Sequence, residues 1–135
     1  MRAEAYLRQY RDIKTQIEIQ RNRRKILEDF AALAGVDYTR IKVQSAPADT
    51  VPDITAKLLR IDEQITRKID QLLKAGKEIE DKISRIPDTT QREVLQLRYL
   101  ACMSWEQIAD KISYSLRQTF RIHSAALRAM EKLLE

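Results

Sequence analysis

The sequence predicts an all-α protein, in which a long antiparallel helical hairpin, similar to a coiled coil, is followed by a three-helix domain with a helix-turn-helix. Three observations predict this fold. The 135 residues include only 2 Gly and 3 Pro, so few positions favour turns. Apolar residues recur at spacings of three and four over two long segments. The pattern Ser-x-x-Gln, typical of a helix start, then occurs twice near the C-terminus.

The first long helix is predicted over residues 3–34. Tyr6, Tyr10 and Ile13 recur at spacings of four and three, which places them on one face of a helix. Gly35 follows the last apolar turn and is expected to end the helix, since glycine readily adopts the left-handed backbone found after many helices. The apolar pattern resumes after a polar stretch, at Ile26, Phe30 and Leu33.

A loop is predicted over residues 35–53, because Pro47 and Pro52 exclude a continuous helix. A second long helix is then expected over residues 54–86. The two helices and their loop, residues 1–86, are interpreted as a hairpin that dimerises or docks a partner. The apolar stripe of the second helix consists of Ile61, Ile65, Ile69, Leu72, Ile79, Ile83 and Ile86.

Shorter elements are predicted over residues 87–135, which are interpreted as a second domain. Pro87 closes the second long helix, and Asp88, Thr89 or Thr90 can cap the next one. Three helices are expected here, over residues 90–101, 105–112 and 116–134.

The last two helices have the pattern of a helix-turn-helix. Ser104 with Gln107, and Ser115 with Gln118, each match a capping box, so two helices should begin eleven residues apart. Ala109 is small enough to let the two helices cross closely. In such a motif the second helix enters the major groove of DNA.

The third helix is predicted to carry the DNA contacts. Between Ser115 and Lys132 the sequence has four cations and one anion, Glu131, whereas the whole chain has a formal net charge of +5. Arg and Gln side chains can read guanine and adenine edges, and capped helix starts can bind phosphates. The predicted base-reading residues are Arg117, Gln118 and Arg121, and the predicted phosphate contacts are Ser104, Ser115, Ser124 and Arg128.

Residues 92–130, "REVLQLRYLACMSWEQIADKISYSLRQTFRIHSAALRAM", resemble region four of bacterial sigma factors. The whole chain resembles a group of small phage proteins of Gram-positive bacteria that are similar to phage late-gene transcriptional regulators. The resemblance implies a DNA-binding regulator that also contacts host RNA polymerase. The sequence departs from region four where Ser113 replaces a common Gly, and where Phe120 replaces a common Arg, so sigma-type promoter specificity does not carry over.

Several function classes find no support in the sequence. One His and one Cys cannot supply a metal site with three or four such ligands, and the two isolated glycines form no phosphate-binding loop. We therefore predict no enzyme activity, no metal and no cofactor. Trp105 and His123 are expected to pack within the domain rather than to act chemically. The single Cys102 fits a reducing cytoplasm, here that of a bacterial host cell.

The sequence thus predicts a homodimeric, sequence-specific regulator of transcription that binds double-stranded DNA and does not enter a membrane. Two alternatives remain open: a DNA-recognition subunit for packaging, similar to a small terminase subunit, and a protein-interaction module that does not bind DNA. Also open are the target sequence, the direction of regulation, the oligomeric state beyond the expected homodimer, and whether the sigma-like domain binds polymerase. The cationic run Arg21 to Lys25 contacts either DNA or a partner, or is a solvated face.

Overall fold

The computed structural model describes residues 2–33, 35 and 50–135, with the backbone alone for residues 50–52. The predicted all-α fold is confirmed, and the described residues contain no strand. The helices are α1 (Arg2–Leu33), α2 (Thr50–Ile83), α3 (Thr89–Leu95), a π-helical turn (Gln96–Leu100), α4 (Trp105–Ile112) and α5 (Leu116–Leu133).

The ends of the two long helices follow local backbone chemistry. Gly35 has a φ of 72° and its N–H donates to the Ala32 carbonyl at 3.1 Å, so the predicted left-handed glycine lies just beyond α1. The predicted start of α2 at Ile54 was wrong, because the helix already begins at Thr50. Pro52 lies in the first turn, where a missing N–H breaks no intrahelical hydrogen bond. Residues 50–53 therefore belong to the helix and not to the predicted loop, and Pro47 lies outside the described residues.

One compact unit contains residues 14–71, where α1 and α2 run antiparallel as predicted. Lys68 donates to Gln16 Oε1 at 2.5 Å, and Arg24 pairs with Asp62. Ile17, Ala31 and Leu58 are buried. The later apolar positions of α1 are exposed in the single chain, to 56% at Ile26, 60% at Phe30 and 85% at Leu33.

The other compact unit contains residues 1–13 and 72–135. The boundaries of these two units differ from those of the predicted domains, 1–86 and 87–135. One apolar core contains residues from both predicted domains. Residues of α1 and α2 lie in the same core as residues of α3, the π-helical turn and α5. The buried members of this core are Ala3, Leu7, Ile79, Ile83, Ile86, Leu95, Tyr99, Ala126, Leu127 and Met130.

Gly76 lets α1 and α2 approach closely in this unit. A Cβ atom at Gly76 would lie 2.9 Å from Cε2 of Tyr10, which is shorter than side chains tolerate. The position of this glycine on the apolar stripe of α2 therefore has a packing reason.

The helix predicted over residues 90–101 is shorter and changes geometry. Asp88 caps α3 by accepting from the N–H of Gln91 at 3.0 Å. From Gln96 the backbone widens into the π-helical turn, and the N–H of Ala101 donates to the Gln96 carbonyl. The Arg98 guanidinium then donates to the Met103 carbonyl at 3.0 Å, which fixes the chain before α4. Within the described part of the chain, no helix is long and apolar enough to cross a membrane.

Candidate nucleic-acid interface

Two reciprocal capping boxes define the starts of α4 and α5. Ser104 Oγ accepts from the N–H of Gln107 at 3.3 Å, and Gln107 Oε1 accepts from the N–H of Ser104 at 3.0 Å. Ser115 and Gln118 repeat the arrangement at 3.1 Å and 3.4 Å. Both predicted helix starts are confirmed, because the short polar side chains satisfy N–H groups that have no partner within the helix.

The turn between α4 and α5 is tight and passes through a left-handed residue. Ser113 has φ 62° and ψ 40°, and the N–H of Tyr114 donates to the Ala109 carbonyl at 3.1 Å. A serine is strained in this region of backbone space, whereas glycine is not. Ala109 and Ile108 of α4 are both buried.

The two faces of α5 differ in burial. Thr119 is completely buried and donates its hydroxyl to the Ser115 carbonyl at 2.8 Å, while Ala126 and Met130 enter the core. The opposite face is exposed to solvent at every position of α5 that is predicted to contact DNA. These exposed residues are Arg117, Gln118, Arg121, Ser124 and Arg128.

The exposed face of α5 is cationic. Arg117, Arg121 and Arg128 make no hydrogen bond or ion pair with the residues that the structure describes. The one anion of α5, Glu131, accepts from the backbone N–H of Ala3 at 2.9 Å. The Glu131 carboxylate forms no ion pair with these arginines, whose guanidinium groups can bind phosphates or base edges.

Gln118 and the two cap serines have local roles of their own. The Gln118 amide oxygen accepts from Ser115, and bidentate recognition of adenine would use that same oxygen. Ser104 and Ser115 use their hydroxyls as caps, although both residues are exposed. The three side chains lie where the sequence predicted. Within the predicted base-reading set, Gln118 has its amide oxygen in a hydrogen bond, whereas the guanidinium groups of Arg117 and Arg121 form none with the described residues.

Behind this face lies an aromatic cluster that the sequence predicts only in part. The Trp105 ring meets Phe120 edge to face at 5.1 Å and His123 at 4.6 Å. The Arg98 guanidinium lies 4.5 Å from the centre of the Trp105 ring. Trp105 and His123 thus pack within the domain as expected. The contacts of Phe120 and Arg98 were missed, because these residues are distant in sequence and share no helical period.

Burial controls the ionisation of this cluster. The Tyr99 hydroxyl and His123 Nε2 lie 2.7 Å apart. Burial lowers the pKa of His123, and Arg98 and Arg8 lower it further against the opposing effect of Glu4. Burial and then Glu4 raise the pKa of Tyr99 to about 12. His123 is therefore neutral at pH 7, and Tyr99 can donate a hydrogen bond to it.

The cationic run from Arg21 to Lys25 lies in the unit of residues 14–71. Arg24 forms ion pairs with Glu28 and Asp62, whereas Arg21, Arg23 and Lys25 are exposed. In the part of the chain that the structure describes, no group of three or more His, Cys, Asp and Glu side chains could hold a metal ion.

Comparison with known proteins adds one match. A family model described as "protein of unknown function (DUF1492)" matches residues 32–131, about three quarters of the chain. No curated protein and no solved structure matches the chain significantly.

Proposed function

The chain belongs to DUF1492, a family of proteins of unknown function, and we propose that it is a sequence-specific DNA-binding regulator of transcription. In this proposal α4 braces the motif and α5 enters the major groove. Arg117, Arg121 and, after release from its cap, Gln118 read base edges. Phosphate contacts by Ser104, Ser115, Ser124 and Arg128 position the helix.

The observation that carries the proposal is the outward face of α5. Three arginines without partners among the described residues lie on one face of a capped helix, directly after a tight turn from another capped helix. A cationic helix face of this kind attracts the phosphates of a duplex, and its guanidinium groups match the acceptors of guanine. The resemblance to sigma region four over residues 92–130 supports the same function.

Selection of the full chain on random duplex DNA, at low and at physiological salt, tests the proposal. We expect a recovered sequence motif and binding that weakens as salt increases, because each neutralised phosphate releases counterions. Binding without a recovered motif would mean that the chain binds DNA non-specifically, through its phosphates alone. Absence of binding at both salt concentrations would reject the proposal in favour of a protein-interaction module.

The wider setting is also part of the proposal. We infer a homodimer in the cytoplasm of a bacterial host, acting in phage gene expression and contacting host RNA polymerase. The exposed apolar side chains of Ile26, Phe30 and Leu33 support self-association, since such residues at helical spacing favour helix pairing. Light scattering of the full chain tests this point. A dimer supports the regulator, whereas a ring of many copies favours a DNA-packaging subunit similar to a small terminase subunit.

A further inference from the structure

A large aromatic side chain lies at the edge of the cationic face of α5. Phe120 is 45% exposed, although aromatic residues of this size are usually covered. Arg117, one turn before it, and Ser124, one turn after it, are both exposed. Because residues three and four apart are neighbours on a helix, Phe120 lies beside the side chains proposed to contact DNA.

The ring of Phe120 packs against Trp105 on the side that faces the domain. Its edge-to-face contact with Trp105 has a centroid distance of 5.1 Å and an interplanar angle of 63°. Trp105 is in turn fixed by His123 on one side and by the Arg98 guanidinium at 4.5 Å. The exposed part of the ring is therefore presented in a fixed position, and binding would cost little side-chain entropy.

The chemistry of this ring selects one feature of the major groove. A phenyl ring has no hydrogen-bond donor for a phosphate or for a guanine acceptor. Thymine alone among the four bases presents an apolar group there, its 5-methyl, and phenylalanine is among the side chains that contact it. We infer that Phe120 contacts the 5-methyl group of a thymine and thereby adds a base position to the sequence that α5 recognises. This inference rests on the proposed function.

Replacing thymine by deoxyuridine tests the inference, because the exchange removes the methyl group and leaves every hydrogen-bonding group in place. The full chain is titrated with its selected duplex and with duplexes that carry one such exchange each. At one thymine we expect affinity to fall by roughly fourfold, which corresponds to losing the burial of about one methyl group. The Phe120→Ala variant should bind the thymine and uracil duplexes equally at that position.

The ratio of the two affinities is measured within one protein preparation, so a partly unfolded variant does not change it. Leu116→Ala is a matched control, since Leu116 is also an exposed apolar residue of α5, at 41%, and its removal should leave the ratio intact. If Phe120→Ala fails to fold, Phe120→Gln is used in its place, because glutamine keeps the aliphatic part of a side chain against Trp105.

Three results would overturn the inference. The wild type could bind every uracil duplex as well as the thymine duplex, the ratio could persist in Phe120→Ala, or Leu116→Ala could abolish it instead. Each of these leaves the proposed function standing, since the motif has been recovered. A wild-type chain that selects no motif would overturn the inference and the proposed function together, and would favour a protein partner for the exposed ring.

Discussion

At the scale of single residues, exposure and partners distinguish the three arginines of α5 from Arg24 in α1. Arg117, Arg121 and Arg128 are exposed and form no ion pair with a described carboxylate. By contrast, Arg24 is held by Glu28 and Asp62. A guanidinium without a partner can exchange its water for a base edge without first breaking an ion pair.

Replacing Arg121 with alanine should weaken binding to the best DNA site by about 1–3 kcal/mol and relax preference at one base position. Arg67→Ala is the matched control, because it removes the same charge from a side chain of α2 that is 77% exposed. Fluorescence anisotropy titrations of both variants on the selected duplex and on single-base variants give the comparison. Equal losses for the two variants would mean that only net charge matters.

The half-buried imidazole of His123 should make the free energy of unfolding depend on pH. Because burial lowers its pKa in the folded state, the unfolded state binds more protons as the pH falls below about 6.5. Stability from this group is thus fully present above that pH and decreases below it. Urea unfolding at about pH 7.5 and about pH 5.5 should show the loss. The loss of stability between the two pH values should be smaller in the His123→Gln variant. An equal loss in the variant and the wild type would mean that other groups cause it.

At the scale of the elements, the helix-turn-helix shows which features were predictable. Both capping boxes were predicted from four residues each, since a capping box is made by side chains within one turn of the helix that they begin. The change to a π-helical turn at Gln96 was not predicted, because the apolar spacing of Leu95, Tyr99 and Leu100 suits either helix type. The start of α2 at Thr50 was not predicted, because Pro52 was assigned to the loop although proline is tolerated in the first turn of a helix.

The Ser113→Gly variant should be more stable than the wild type by about 0.5–1 kcal/mol, because glycine adopts a φ of 62° without steric cost. Ser124→Gly is the matched control in the interior of α5, where the same exchange should destabilise by a similar amount. Urea denaturation followed by circular dichroism measures both changes. Effects of the same sign at both positions would show that strain in the turn is not relieved by glycine.

At the scale of the whole molecule, the first turns of α1 belong to the core of the unit that contains the helix-turn-helix. Ala3 and Leu7 are completely buried there, together with Leu95 and Met130. This arrangement was not predictable from helical periodicity, which identifies the apolar face of α1 but does not name what packs against it.

Truncating Leu7 to alanine should therefore lower the stability of the helix-turn-helix, although the two are far apart in sequence. The expected cost is about 2–5 kcal/mol, as for other buried leucines. Leu33→Ala, in the same helix but 85% exposed, should change stability by about 0.5 kcal/mol or less. The chain's one tryptophan, Trp105, reports unfolding of the helix-turn-helix by fluorescence. Similar midpoints for Leu7→Ala and wild type would separate α1 from this core.

The sequence by itself determined the helical fold class, the two capped starts, the closing glycine of α1 and the outward face of α5. These features depend on interactions within one or two helical turns, so a short stretch of sequence contains all the partners. Only the tertiary structure decided which chain segments share a core and which N–H group donates to Glu131. It also decided that Phe120 packs against Trp105, which in turn contacts Arg98. Such contacts join residues far apart in the chain, and their geometry depends on the packing of whole helices.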